Sequence, residues 1–249
     1  MKEISPVSKR VQRSKQMENL QTSPWVIGGI IAIALLVVLV LIQSTNSLQG
    51  PGTTAVDLSS LQGLPSGVTE DGHHYLGSLE AKVVIKEYED LRCPYCQRHF
   101  LQNEPQLIEQ YIRPGKVRLE SHVFPLLGSA SASVAEALAC AADQGKYWEY
   151  RHIAFIKQPL ESNPDGREQF VSYAELAGID TAKFATCFDT QRFYTDVQRA
   201  ASEARDANVS STPTFFINGT AYPGVLPFES NATTQGLKSI LDAALATQP

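Results

Sequence analysis

Hydrophobic positions change their pattern along the chain in three stages. Trp25 to Ile42 reads WVIGGIIAIALLVVLVLI, with no charged residue. That length suits a short membrane-spanning helix and exceeds the apolar core of most cleavable leaders. Gln43 to Gly67 is rich in Gly, Ser, Thr and Pro and predicts a tether, roughly 25 to 30 Å root-mean-square as a flexible coil. From Val68 onward short apolar runs alternate with turn signals. His74 to Leu76 predicts a short strand, and the apolar run at Val83 to Tyr88 predicts a strand covered on both faces. Val117 to Val123 alternates Val117, Leu119 and Ser121 against Arg118, Glu120 and His122, which predicts another strand.

Helical periodicity fills most of the remainder. A helix is expected from Cys93 to about Ile112, kinked at Pro105 and ended by Pro114-Gly115. Further helices are expected at Ser129 to Ala142, Gly145 to Ile156, Gln169 to Ala177, from an N-capping Thr181, at Arg192 to Ala207 and at Asn231 to Ala246. Thr214 to Tyr222 predicts a hairpin turning at Asn218-Gly219. Strand, helix, strand, helical block, hairpin and helix follow in the order of an α/β thioredoxin fold with an inserted helical domain at about 128–190. The expected organisation is therefore an N-terminal segment at 1–24, a single transmembrane anchor at 25–43, a linker at 44–67 and the thioredoxin-like domain at 68–249.

Charge gives this organisation a direction. Residues 1–24 hold five Lys/Arg against two Asp/Glu, leaving sixteen against twenty-four in the rest of the chain. By the positive-inside rule the N-terminus stays cytoplasmic and everything after Gln43 lies outside the cell membrane. No small-x-small cleavage signal stands out after the run, so an uncleaved anchor is favoured over a signal peptide. The acidic remainder, without a basic stripe, a Gly-rich phosphate loop or a Ser-His-Asp spacing, argues against nucleic-acid binding.

The chemistry centres on Cys93-Pro94-Tyr95-Cys96. A C-x-x-C where a strand hands over to a helix leaves the first thiol at the helix N-terminus, where unpaired N–H groups and the macrodipole favour a thiolate. The second thiol sits one turn inward, and Pro94 suits the first helical turn. The alternative, half of a structural zinc site, lacks a second ligand pair, since Cys140 and Cys187 are isolated and only His73-His74 are adjacent among the histidines. No metal or cofactor is expected. Glu87, six residues before Cys93 in an otherwise apolar strand, is a candidate buried carboxylate that exchanges a proton with Cys96. Its alternative is a solvated strand end. Trp148 and its aromatic neighbours are expected in the core, and His99, on the helix after Cys96, on a surface or in the core, the alternative being a place near the active site.

Three segments, Glu87 to Cys96, Gln144 to Tyr150 and Ser211 to Gly219, together resemble the DsbA family of thiol-disulfide oxidoreductases, of the membrane-anchored BdbD-like kind. The resemblance spans residues about 68–249. It implies Cys93 and Cys96 as the redox pair and a cis bond before Pro213. It also implies that the Thr212 main chain lies against the active disulfide and, with Pro94 and Tyr95, meets an incoming peptide. Tyr95 stands where DsbA itself carries histidine. Cys140 and Cys187, in two predicted helices of the inserted block, are expected to form a structural disulfide, the alternative being two buried free thiols.

The resulting expectation is an extracytoplasmic oxidase that passes the Cys93–Cys96 disulfide to thiol-bearing protein substrates through a mixed disulfide. A membrane quinone-linked reductase of DsbB or vitamin K epoxide reductase-like type would recycle it. A tethered reductase or isomerase of the same fold and a redox-inert peptide-binding chaperone are the rivals.

Overall fold

The computed structural model describes residues 56–157 and 166–247, together with Val37. The chain divides into two units, Met1–Thr54 and Ala55–Pro249. The expected N-terminal segment, the anchor and the tether up to residue 55 lie outside the described residues, Val37 excepted. Among the described residues no helix is long and apolar enough to cross a membrane.

The second unit is built on a six-stranded sheet in the order β1-β2-β4-β3-β5-β6. The strands are β1 (Ser66–Val68), β2 (His74–Leu76), β3 (Val83–Glu89), β4 (Val117–Val123), β5 (Thr214–Ile217) and β6 (Thr220–Pro223). Only β3 and β4 run parallel, in a register that sets Glu87 beside Ser121 and Glu89 beside Val123. On its other side β3 pairs antiparallel with β5, Glu87 facing Phe215. Asn218 and Gly219 both take positive φ, 50° and 78°, which makes the β5–β6 connection the tight turn that Asn-Gly encodes.

The helices are α1 (Pro94–Gln102), α2 (Glu104–Leu107), α3 (Ser129–Ala142), α4 (Tyr147–Lys157), α5 (Arg167–Leu176), α6 (Thr181–Asp189), α7 (Tyr194–Asp206) and α8 (Leu237–Ala246). One sheet face, carrying Val83, Ile85, Leu119, Phe215 and Ile217, joins the main core with α1, α4 and α8. The opposite face places Tyr88 and Phe216 under Ala201 and Ala204 of α7. In the helical block Tyr150, Phe170, Tyr173, Phe184 and Phe188 form an aromatic cluster.

Several expectations need correction. The end of the supposed linker is folded: residues 59–61 form a 3-10 turn and Ser66–Val68 is strand β1. Val56, Leu58, Leu61 and Leu64 pack on the core, so spaced apolar residues outweigh the surrounding Gly and Pro. Strand β3 is not covered equally on both faces. Val83, Ile85, Glu87 and Glu89 are buried while Val84, Lys86 and Tyr88 are partly exposed.

The helix expected from Cys93 to Ile112 is interrupted at Asn103 and ends in a π-helical stretch, Ile108–Ile112. Pro105 has no N–H for the carbonyl of Leu101 and crowds it, which accounts for the break. Asp180, not Thr181, caps α6, its short carboxylate accepting from the Ala182 and Lys183 amides at 3.1 Å each. The last helix begins at Leu237 because Asn231 instead closes a turn on the Thr233 and Thr234 amides.

Candidate active site

Cys93 occupies the N-cap position of α1, with extended backbone angles and Pro94 opening the helix. Both cysteines are reduced and buried, Cys93 at 5% and Cys96 at 1% exposure. Pro94 and Tyr95 between them are exposed, and Arg98 stacks over the Tyr95 ring. Cys93 lies against the Thr212-Pro213 segment, whose peptide bond is cis and whose Thr212 carbonyl lies 3.3 Å from Cys93 Sγ.

The two thiols are displaced in opposite directions. Hydrogen bonding from Cys96 is the largest influence on Cys93, and with contributions from Thr212 and the Cys96 and Tyr95 amides it outweighs burial and lowers the thiol to about 5. The amide contributions follow from the N-cap position, where helix N–H groups have no carbonyl partner. Burial first, then the hydrogen bond to Cys93, pushes the Cys96 thiol far up, and the charge of Glu89 adds to this. One turn of helix thus holds a ready thiolate and a thiol that keeps its proton.

Beneath the cysteines lies a charged cluster that sequence reading found only in part. Glu87 is 1% exposed, which removes the solvated alternative. Neither of its oxygens has a hydrogen-bond partner. Arg151 Nη2 lies 3.5 Å from Oε2 and His99 Nε2 lies 3.9 Å from Oε1. Burial above all, then the charge of Glu89, raises the Glu87 carboxyl well above the ordinary range against the opposing pull of Arg151. Arg151 also binds Glu89 and Glu104, making it a buried guanidinium shared by three carboxylates. His99, completely buried, is pushed down to about 3 by burial and then by Arg151. The Asn103 amide lies 3.2 Å from its Nδ1, which directs the neutral ring's N–H at Nε2 toward Glu87.

Glu89, Glu104 and Arg151 were not singled out from the sequence. The available signal was Arg151 itself, a charge placed three and four residues after Trp148 and Tyr147 on a helix whose other inward positions are aromatic or aliphatic. Cys140 and Cys187 are bonded to each other and join α3 to α6, 47 residues apart in sequence. They lie outside the redox site. Among the described residues no group of His, Cys, Asp and Glu is arranged to hold a metal ion.

A thioredoxin family model matches residues 69–243. Among curated relatives, an Na(+)/H(+) antiporter NhaA 3 of Salinispora tropica is 31% identical over 179 residues, covering 71% of this chain and 26% of the antiporter. Disulfide bond formation protein D of Bacillus subtilis is 25% identical over 158 residues, covering 59% of this chain and 68% of that protein. The chain thus spans about a quarter of the length of the antiporters it matches. Of solved structures, oxidised BdbD from Bacillus subtilis superposes with a TM-score of 0.63 at 20% identity, covering 74% of this chain and 98% of BdbD. Alpha-DsbA1 from Wolbachia pipientis gives 0.60 at 20% identity, covering 72% and 94%.

Proposed function

The chain belongs to the thioredoxin family, and on that premise we propose that it is a DsbA-like thiol-disulfide oxidoreductase that donates the Cys93–Cys96 disulfide to proteins folding outside the cytoplasm. The observation that carries this reading is the geometry of the pair, with Cys93 at the N-cap of α1, Cys96 one turn inward and the Thr212 carbonyl 3.3 Å from Cys93 Sγ. The opposite displacement of the two thiols, Cys93 down to about 5 and Cys96 up, supports it. A substrate thiolate attacks Cys93 Sγ, the Cys93–Cys96 bond breaks, and its electron pair passes to Cys96. The second substrate thiolate then attacks the substrate sulfur of the mixed disulfide and releases Cys93 as a thiolate. Two electrons end on the cysteine pair, one substrate proton ends on Cys96, and the other goes to solvent. A well-stabilised Cys93 thiolate favours the reduced pair, which is what makes its disulfide oxidising.

The extracytoplasmic placement is supported by the basic flank before the 25–42 apolar run and by the Cys140–Cys187 bond, a feature of oxidising compartments. In this reading residues 1–24 are cytoplasmic and 25–43 anchor the domain. A membrane quinone-linked reductase of DsbB or vitamin K epoxide reductase-like type reoxidises the pair. Equilibration with glutathione tests the direction: a reduction potential near about −120 mV fits a donor of disulfides, and one near about −270 mV turns the reading into a reductase. Labelling intact cells with a membrane-impermeant thiol reagent tests the location, and protection of the reduced pair until lysis would overturn it.

A further inference from the structure

Asp90 directly follows β3 and stands three residues before Cys93, almost fully buried at 1% exposure. Its carboxylate accepts three main-chain donors from two segments. Arg92 N–H reaches Oδ1 at 2.8 Å, and the Leu126 and Leu127 N–H groups reach Oδ2 at 2.9 and 3.0 Å. Its own main chain touches both cysteines. The Asp90 carbonyl accepts from the Cys93 amide at 2.9 Å, and the Asp90 N–H points at Cys96 Sγ across 3.5 Å. A carboxylate held by three peptide donors is fixed from both sides, and the peptide unit next to it is fixed with it.

We propose that Asp90 is a positioning residue for disulfide exchange. Latched to the loop at Leu126 and Leu127, its carboxylate aims its own N–H at Cys96 Sγ, where it meets the charge that arrives when that sulfur is displaced. The inference rests on the exchange reading given above. In the step concerned, the sulfur of a substrate thiolate bonds to Cys93 Sγ while the Cys93–Cys96 bond breaks. The electron pair and the negative charge pass to Cys96 Sγ, and no proton moves until that thiolate has formed. Cys96 is buried, so solvent is poorly placed to receive the charge, and the Glu89 carboxylate nearby opposes it. A donor already aimed at the sulfur counts most in such a place, because nothing has to reorganise during the reaction.

Two reactions separate positioning from general structural support. Reduction of the oxidised protein by dithiothreitol displaces Cys96. Alkylation of the reduced protein by iodoacetamide at Cys93 does not. Asp90→Ala is expected to slow the first by about tenfold or more and leave the second unchanged. Asp90→Asn, which keeps one acceptor oxygen, is expected to slow the first by a smaller factor, again without changing the second. No slowing of dithiothreitol reduction, or equal slowing of both reactions, overturns the proposal. Should Asp90→Ala fail to fold, Asp90→Asn decides by the same split. If the wild-type disulfide does not react with dithiothreitol, the exchange reading itself falls, so the two failures are told apart.

Discussion

Arg151 donates to both carboxylate oxygens of Glu89, through Nε at 2.7 Å and Nη2 at 2.8 Å, where neither residue is reached by solvent. The same guanidinium also faces Glu87 and Glu104. One fixed positive charge faces three carboxyl groups, and burial, then the charge of Glu89, raises the Glu87 carboxyl well above its ordinary range.

Replacing Arg151 by Leu should therefore be costly, since the carboxylates remain buried without their partner. The expected loss is about 3 to 5 kcal/mol, read as a lower midpoint in urea unfolding. Arg151→Lys should recover only part of it, because an ammonium cannot serve three carboxylates with fixed fork geometry. A midpoint unchanged by Arg151→Leu would remove the cluster from the stabilising core.

The acidity of Cys93 should appear as thiolate absorbance with a midpoint near pH 5. Because Cys96 supplies the largest lowering influence, Cys96→Ala should move that midpoint upward. The unfolded thiol titrates near about 8.5. A folded value below the unfolded one means the unfolded chain binds more protons between them, so this contribution grows as pH rises across that window and is lost as pH falls through about 5. The melting temperature of the reduced protein, relative to the oxidised one, should accordingly climb from pH 5 toward pH 8.5. A constant difference would contradict the assignment.

Glu87 has the opposite sign. Its carboxyl is raised in the fold, so its contribution is complete below the unfolded value of about 4.3 and is lost as pH rises through the folded one. Glu87→Gln keeps the shape without the titration, and its stability should decline less with rising pH than that of the wild type. Parallel stability curves for the two proteins would show that Glu87 does not hold a buried proton. The proton exchange with Cys96 proposed for Glu87 has a separate readout, the pH dependence of thiol exchange, which the same substitution should alter.

The Cys140–Cys187 bond closes a separation of 47 residues. The loop-entropy relation gives a loss of about 4 kcal/mol for the double Ala substitution, checked by denaturant unfolding. Iodoacetamide reactivity at Cys93 should not change, since the bond joins α3 to α6 and lies outside the redox site. A fall in that reactivity would mean that the helical block and the redox pair are coupled.

The thiol pair and the order of the elements were legible in the sequence because both are local. Four consecutive residues after an apolar strand place Cys93 at a helix start, and Asn218-Gly219 fixes a hairpin through backbone preference alone. The folded end of the tether was missed because Leu58, Leu61 and Leu64 are too widely spaced to declare an element, and they are held by the core they pack against. What no local pattern could disclose was the partnership of charges. Glu87 and Glu89 come from a strand, Glu104 from a short helix and Arg151 from the inserted block, and the fold alone brings them together. Thr212 lies against Cys93 as the family resemblance implied, although no local pattern places it there. Sequence determines which residues can ionise and where the chain turns, while the strength of a charge depends on how much water the fold removes around it and which distant groups replace that water.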